Sequence, residues 1–237
     1  MTRGRMLVVN ADDFGRSPGI NRGILRAHVD GIVTSASLMV RYPEGAESAA
    51  AAAGSHPDLG VGLHLDLAEW EYGAGGWRCR YEVVPTDDPV AVRRELDAQL
   101  TRFRELLGVD PTHIDSHQHV HRDQPVRSAV ARAGGELGIP VRHLSPARYC
   151  GAFYGQGRRG TPLPEGITPI ALAGLIRDIS PGVTELACHP AETIDIETDY
   201  AAERLVELRV LCDPCVRAAI RDAGVVLRNF RTVQLPV

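Results

Sequence analysis

The chain has 237 residues, of which 44% are hydrophobic and 24% charged, and its net charge at pH 7 is −4. This is the composition of an ordinary globular domain, and the small negative charge gives no reason to expect nucleic acid or an anionic membrane as a partner. No apolar run approaches the roughly 20 residues that cross a bilayer, and the run at residues 6–9 is too short for a secretion signal. We therefore expect a cytoplasmic protein that forms one domain over residues 1–237.

Short β-like segments alternate with amphipathic helical segments along the whole chain. The apolar residues of Pro89–Leu107 recur at three- or four-residue steps, which predicts a helix. Residues 59–67 instead alternate between apolar and polar side chains, which predicts a strand. We predict strands at 6–10, 34–40, 59–67, 112–120, 141–144, 183–188 and 225–231, and helices at 20–28, 46–54, 89–107, 126–138, 169–179 and 201–223.

A succession of about seven β-then-α units predicts a parallel sheet, either open and doubly wound or closed into a barrel. Polar residues follow at least four of these strands. Strand ends converge at the top of a barrel, whereas an open sheet would spread them along an edge. We therefore predict an irregular, TIM-barrel-like (β/α) barrel of about seven strands. The residues at its strand ends are Asp12, Asp13, His64, Asp66, His117, His119 and His189.

Two adjacent carboxylates, Asp12 and Asp13, directly follow the first predicted strand. They repel each other, and a bound divalent cation is the simplest way to compensate that repulsion. One carboxylate would then bind the ion while the other acts as a base. The alternative is that an aspartate caps the helix that begins near Ser17, although Ser17 or Asn21 would serve as well.

Residues 113–121 carry histidine or aspartate at every odd position. On a strand all five side chains would project to one side and line a cavity with imidazole, the commonest metal-binding side chain. Successive members of such a row are about 7 Å apart, so only one or two of them can bind the same ion. A solvated edge strand is the alternative interpretation. The five residues are His113, Asp115, His117, His119 and His121.

Two further histidines lie at predicted strand ends. His64 shares its face of the strand with Gly62 and Asp66, at the mouth of the predicted barrel, and a satisfied core histidine is the alternative. His189 precedes Pro190, where it suits the protonation of a leaving amine, although a turn histidine before proline fits equally well.

Two glycine-rich segments, 71–88 and 149–166, are predicted to form loops on the same face as the histidines, and the second is a candidate substrate lid. Arg158 in that segment could pair with an anionic group of a substrate, or it could lie in a solvated loop. The pair Cys212 and Cys215 lies in a predicted helix without a second pair of cysteines, so we interpret it as incidental to function.

Four motifs, taken together and in this order, resemble the YdjC-like carbohydrate deacetylases, a family that includes chitooligosaccharide deacetylase and the hopanoid-biosynthesis deacetylase. They are NADDFG at 10–15, GLHL at 62–65, HIDSHQHVH at 113–121 and CHP at 188–190, and they span nearly the whole chain. The resemblance implies an irregular (β/α) barrel, one divalent ion (Mg²⁺ or Zn²⁺), a small carbohydrate substrate, and removal of an acetyl group from an N-acetylated sugar. Members of the family often form homodimers.

The resemblance also implies roles for individual residues. Asp13, His64 and His117 would bind the metal, Asp12 would be the general base, and His189 the general acid. The roles of Asp12 and Asp13 could be exchanged. Two imidazoles and one carboxylate suit Zn²⁺ or another transition ion better than Mg²⁺. The residues expected to support the ligands or to contact substrate are Asp115, His119 and Arg158.

Two other function classes are compatible with a metal-binding barrel. A phosphoesterase or a sugar isomerase would require more carboxylates at strand ends, or a second ion. A non-catalytic sugar-binding protein would be expected to have lost one of Asp12, Asp13, His64 or His117, and all four are present. The sequence therefore predicts an amide hydrolase.

Overall fold

A computed structural model describes residues 4–73 and 75–233, and Arg158 with its backbone only. Strands and helices alternate through most of these residues. In chain order the elements are β1 (Arg5–Phe14), α1 (Pro18–Val29), β2 (Ser35–Leu38), α2 (Pro43–Gly54), β3 (Gly60–Leu65), β4 (Ala68–Gly73), β5 (Gly76–Glu82), α3 (Pro89–Leu107), β6 (Ile114–Ser116), α4 (Val126–Leu137), β7 (Arg148–Cys150), α5 (Pro169–Arg177), β8 (Gly182–Cys188), α6 (Ala202–Leu211), α7 (Pro214–Asp222) and β9 (Val225–Leu227).

A parallel sheet forms the centre of the molecule, with the strand order β6-β3-β2-β1-β8-β7. β9 pairs with the first residues of β1, and β2 pairs with its later residues. The sheet curls into a half-barrel. In the described part of the chain β6 and β7 form no ladder with each other, so the sheet keeps two edges. The predicted α/β architecture with parallel strands is confirmed, but the paired order does not close it into a seven-stranded barrel.

Local sequence accounts for the ends of several helices. The side chain of Asp88 accepts hydrogen bonds at the start of α3, Pro89 takes the first helical position, and Gly108 ends the helix in the left-handed region at φ 70°. This confirms the predicted bounds of that helix. Ser17 caps α1 by accepting from the backbone N–H of Ile20, so the alternative that Asp12 or Asp13 caps this helix is wrong.

The prediction of a loop at 71–88 is wrong over the first half of that segment, because β4 and β5 form an antiparallel hairpin there. Aromatic side chains, which favour strands, stabilise it through cross-strand contacts. Tyr72 lies opposite Trp77, and their rings meet edge to face at a centroid distance of 5.4 Å. The hairpin stands over the carboxyl ends of the parallel strands.

The helix predicted at 201–223 is two helices, α6 and α7. Pro214 cannot donate a backbone hydrogen bond to a continuing helix, and Asp213 begins a new one by accepting from the N–H of Cys215. Cys212 and Cys215 therefore flank a helix junction, and both are free thiols. None of the helices in residues 4–73 and 75–233 combines the length and the apolar character that a membrane span requires.

Candidate active site

A cleft of about 990 Å³ opens at the carboxyl ends of the parallel strands. Its floor is formed by residues that the sequence places far apart. Asp12 and Asp13 lie near the end of β1, His64 lies in β3, and His117 and His189 directly follow β6 and β8. The structure thus brings together these residues, all predicted at strand ends, in the place where parallel α/β folds bind ligands.

Asp13, His64 and His117 form a compact ligand set at the bottom of the cleft. Oδ1 of Asp13 lies 3.6 Å from Nε2 of His64 and 3.3 Å from Nδ1 of His117. This oxygen is buried and accepts no hydrogen bond from the described residues. One ligand atom from each residue lies within 4.8 Å of the other two. An unsatisfied carboxylate oxygen facing two imidazole nitrogens fits a divalent cation with three protein ligands and open positions.

Asp115 orients His64 within this set. Its Oδ1 lies 2.7 Å from Nδ1 of His64, which leaves Nε2 of that imidazole turned towards Asp13. Asp115 is itself held by Ser37 Oγ and by Arg142 Nη2, at 2.6 and 2.7 Å. Burial by itself would raise the pKa of Asp115, but Arg142 and His64 outweigh burial and hold the pKa well below its usual range. An ionised carboxylate behind a histidine is the usual support of a metal ligand.

His117 lies between two carboxylates, those of Asp13 and Glu69. Glu69 Oε2 is 3.4 Å from Nε2 of His117 and receives Arg16 Nη2 at 2.5 Å. Burial favours the neutral imidazole, but the two carboxylates outweigh it and raise the pKa of His117 to about 9. Without a metal, this histidine is therefore a cation at neutral pH. The carboxylates of Asp13 and Glu69 thus favour a positive charge between them.

Asp12 binds a buried arginine and is not part of this ligand set, although one of its oxygens lies within 4.8 Å of a nitrogen of His64. Both of its oxygens receive Arg142 at 2.7 Å, and the same guanidinium binds Asp115 and Glu185. Burial raises the pKa of Asp12, but Arg142 outweighs burial and lowers it, so the carboxylate is ionised. Burial and the neighbouring carboxylates raise the pKa of Glu185 to about 7.

Much of the charge compensation for the aspartate pair comes from arginines, which the sequence argument did not include. Arg142 binds Asp12, and Arg204 forms an ion pair with Oδ2 of Asp13. Six buried carboxyl groups and three buried guanidinium groups lie in this region of the described structure. They are Asp12, Asp13, Glu69, Asp115, Glu185 and Glu207, with Arg16, Arg142 and Arg204.

His189 lies beside Asp12 at the edge of the cleft floor, with its Nε2 3.8 Å from Asp12 Oδ2. Its backbone N–H donates to Glu207, which also accepts from the hydroxyl of Tyr200. The rings of Tyr154 and Tyr200 meet the imidazole edge to face at 5.5 and 5.6 Å. Burial lowers the pKa of His189 to about 4 against the influence of Asp12, so the imidazole is neutral at rest.

The prediction that residues 113–121 form one strand with five side chains on one side is wrong. β6 ends at Ser116, and a 3-10 turn follows at His117–Arg122, in which Gln118 and His119 have φ values of 50° and 56°. Ser116 Oγ accepts from the backbone N–H of His121 at 3.1 Å and so closes the turn. The side chain of Gln118 binds both the N–H and the carbonyl of Trp70 in the hairpin.

This turn separates the histidines into different environments. His113 packs below the cleft against Phe230, at a ring distance of 4.1 Å. His117 joins the ligand set, whereas His119 lines the cleft and has its Nε2 3.1 Å from the hydroxyl of Tyr149. Burial lowers the pKa of His119 to about 3 and that of His121 to about 4, so both are neutral.

The segment predicted as a lid at 149–166 lines one side of the cleft with largely irregular backbone. The side chain of Arg158 lies outside the described residues, so its predicted contact with substrate stays a prediction. Its neighbour Arg159 lines the cleft, with its guanidinium 5.3 Å from the centre of the Tyr72 ring. The segment and the hairpin thus meet across the cleft.

Among the residues that the sequence argument missed, two carried a recognisable pattern. Arg204 and Glu207 lie three residues apart on α6 and share its buried face with Leu208 and Leu211. Charged residues on the helix face that packs against the core indicate that this face contributes to a buried polar site. The other missed residues are Arg16, Glu69 and Arg142, for which the sequence offered no comparable pattern.

Comparison with known proteins decides the family. The model of the family described as YdjC-like protein matches residues 6–222. The chain belongs to the YdjC-like family. A carbohydrate deacetylase of Geobacillus stearothermophilus is 38% identical over 96% of this chain and 97% of its own length. A chitooligosaccharide deacetylase of Serratia marcescens is 33% identical over 96% of this chain and 98% of its own.

Solved structures agree with this YdjC-like assignment at the level of the fold. A protein of Enterococcus faecalis, named for a proposed role in cellobiose-phosphate cleavage, superposes with a TM-score of 0.79 at 25% identity, covering 97% of this chain and 98% of its own. A family 4 carbohydrate esterase of Streptomyces lividans superposes with a TM-score of 0.58 at 12% identity, covering 99% of this chain and 98% of its own.

Proposed function

We propose that this YdjC-like protein is a metal-dependent carbohydrate N-deacetylase, a hydrolase that removes the acetyl group from an N-acetylated sugar. Relatives named carbohydrate deacetylase and chitooligosaccharide deacetylase match it over nearly its full length. The observation that carries the proposal is the buried, unsatisfied Oδ1 of Asp13, which faces one nitrogen each of His64 and His117.

Asp13, His64 and His117 would hold the ion. A divalent ion bound there would supply Lewis acidity, polarising the amide carbonyl and lowering the pKa of a water molecule. Two imidazoles and one carboxylate suit Zn²⁺ better than Mg²⁺, which prefers an octahedron of oxygen ligands. Arg204 and Arg16 neutralise the other oxygen of Asp13 and hold its orientation.

Asp12 and His189 are the groups placed to move protons. We assign Asp12 as the base that takes the proton of the attacking water, because Arg142 holds it ionised and it lines the cleft beside Asp13 without being one of the three ligands. His189 is neutral at rest and must receive a proton before it can protonate the departing amine. The 3.8 Å between Asp12 Oδ2 and His189 Nε2 offers a short route for that transfer. This geometry favours Asp12 as base and Asp13 as ligand over the reverse.

The hairpin supplies an apolar surface for the sugar rings. Trp70 and Trp77 line the cleft and remain 42% and 65% exposed, so their rings are accessible to a ligand in the cleft. Stacking of a sugar ring on one of them would bind ground state and transition state alike, so it would act on KM rather than on kcat.

Replacement of Trp77 by alanine is therefore expected to raise KM for N-acetylglucosamine oligomers about fivefold while changing kcat less than about twofold, because one aromatic contact contributes about 1 kcal/mol. Steady-state acetate release measures both constants. Trp77→Phe keeps a flat ring and should restore most of the affinity. A fall in kcat with unchanged KM would contradict this role of the hairpin.

Metal binding is expected to depend on pH through His117. With a pKa of about 9, His117 carries a proton at pH 7 that an ion must displace. The pKa of His64 is raised as well, so the apparent affinity for Zn²⁺ should rise at least tenfold per pH unit between pH 6 and 8, as at least one proton is released per ion. Competition with a chelating indicator measures this slope. Glu69→Gln removes one of the two carboxylates that raise this pKa and should make the slope shallower, whereas equal affinity at pH 6 and 8 would contradict the assignment.

The function itself is tested by acetate release from N-acetylated sugars. The protein should release acetate, lose this activity when a chelator removes the metal, and recover it when Zn²⁺ is added back. Release of phosphate from a phosphorylated disaccharide, or formation of an isomeric sugar, with no acetate would favour the phosphoesterase or the isomerase. Binding of the sugar without any turnover would favour a non-catalytic role.

A further inference from the structure

A second cluster of imidazoles lies next to the active site and takes no part in the chemistry above. His119 and His121 belong to the turn after β6, and His143 lies in the segment between α4 and β7. One ring nitrogen of each lies within 4.8 Å of the other two. The ring centroids are 5.2 to 6.0 Å apart.

Each member of this cluster has a buried nitrogen without a hydrogen-bond partner among the described residues, namely Nδ1 of His119, Nε2 of His121 and Nε2 of His143. His121 is completely buried. The opposite nitrogens of two members are occupied. His119 Nε2 lies 3.1 Å from the hydroxyl of Tyr149, and His121 Nδ1 lies 2.6 Å from Ser116 Oγ. A metal-binding histidine commonly has this arrangement, with one nitrogen held by a polar neighbour and the other left for the ion.

If His119 donates to Tyr149 and His121 to Ser116, the other nitrogen of each ring is left as an acceptor, with its lone pair available to a ligand atom. A transition ion takes a lone pair from all three. The unsatisfied nitrogens are costly in a buried site unless something binds them, because each has lost its hydration.

We infer that His119, His121 and His143 form a second metal site, separate from Asp13, His64 and His117, which takes Zn²⁺ or an ion of similar ligand preference. Three neutral imidazoles suit that class of ion and are poor ligands for Mg²⁺ or Ca²⁺. Zinc would draw the three nitrogens to roughly 3.3 Å from one another, as its bond lengths of about 2.0 Å require.

The nearby charge of Arg142 does not oppose an ion at this place. Its guanidinium lies 5.2 Å from the centre of the Tyr149 ring, and the hydroxyl of Tyr149 contacts His119. The same guanidinium is bound by the carboxylates of Asp12, Asp115 and Glu185, which compensate its charge.

The second ion would have a structural role. It would cross-link the turn that carries His117 to the segment that carries Arg142. His119 and His143 are both in the left-handed region, at φ 56° and 64°, which side chains with a Cβ rarely adopt without external support. A cross-link between the two would hold that backbone in place, and with it one ligand of the first site. This inference does not depend on the deacetylase reaction.

Metal stoichiometry tests the second site. Metal-free protein is saturated with Zn²⁺, freed of unbound ion by gel filtration, and its zinc measured by elemental analysis. The wild type should bind two ions per chain. His64→Ala and His143→Ala should each retain one ion, and the double variant none. A single ion in the wild type that His143→Ala retains and His64→Ala loses would overturn the proposal.

A milder variant keeps the test decisive if His143→Ala does not fold, as judged by circular dichroism. Tyr149→Phe removes only the hydroxyl that supports His119. In the His64→Ala background, where only the second site should remain, this change is expected to weaken Zn²⁺ binding about 10- to 100-fold. Unchanged zinc affinity would overturn the proposal. If the wild-type protein binds two ions but releases no acetate, the result would count against the proposed function and not against the second metal site.

Discussion

Replacement of His117 by alanine is expected to remove both the active-site ion and the deacetylase activity. The variant leaves Asp13 and His64 as the remaining protein ligands and opens one side of the buried ligand set. Because a metal acting as a Lewis acid contributes several kcal/mol to transition-state stabilisation, kcat/KM should fall by roughly 10³-fold or more. Acetate release and elemental analysis of the same preparation measure the two losses together.

Two further variants make this result specific. His56→Ala makes the same chemical change at the C-terminal end of α2, beside His28 and outside the cleft, and should alter neither metal content nor turnover. Asp12→Asn should lose turnover while keeping the ion, because Asp12 binds Arg142 and lies beside His189 but is not one of the three proposed ligands. Retention of the ion and of full activity in His117→Ala would show that the ligand assignment is wrong.

Replacement of Arg142 by methionine is expected to have the largest effect on stability. Arg142 is buried and binds three buried carboxylates, those of Asp12, Asp115 and Glu185. Its removal leaves them without a counter-charge, which typically costs about 3–5 kcal/mol. That is a large part of the 5–15 kcal/mol that stabilises an average domain. Urea unfolding at pH 7 measures the free energy of unfolding of both proteins.

The pH dependence of this loss distinguishes its electrostatic cause from lost packing. Arg142 holds the pKa of Asp12 and Asp115 below the ordinary value of 3.8, so its stabilising effect is complete above that value and disappears as pH falls through the lowered values. The difference between the free energies of unfolding of variant and wild type should therefore narrow as the pH falls below about 4. A difference that stays constant with pH would indicate that packing, not charge, is responsible.

A matched exchange at an exposed position provides the control for Arg142. Arg177→Met, at the end of α5, removes a solvated arginine and should change the free energy of unfolding by less than about 0.5 kcal/mol. Arg142→Lys keeps the positive charge but cannot reproduce the paired contacts to Asp12. It should recover only part of the loss.

Much of the fold was determined locally, and those parts were predictable. The start and end of α3 follow from Asp88, Pro89 and Gly108, whose effects act within one turn of the helix. The hairpin was missed because the glycines in this segment predicted a loop. The contacts between aromatic side chains on its two strands, which stabilise it, form only once the strands pair. The break between α6 and α7 was visible in Pro214 but was outweighed in the sequence argument by the helical pattern on both sides.

The sequence by itself determined which residues stand at the strand ends and hence which side chains could meet, because strand polarity follows from the alternation of β and α segments. Only the tertiary structure decided which of these side chains share a site. The turn after Ser116, closed by contacts to His121 and to the hairpin, sends His117 to Asp13 and His119 to His143. Arg142 and Arg204, which bind Asp12 and Asp13, come from 130 and 191 residues away, and no local pattern encodes contacts of that range.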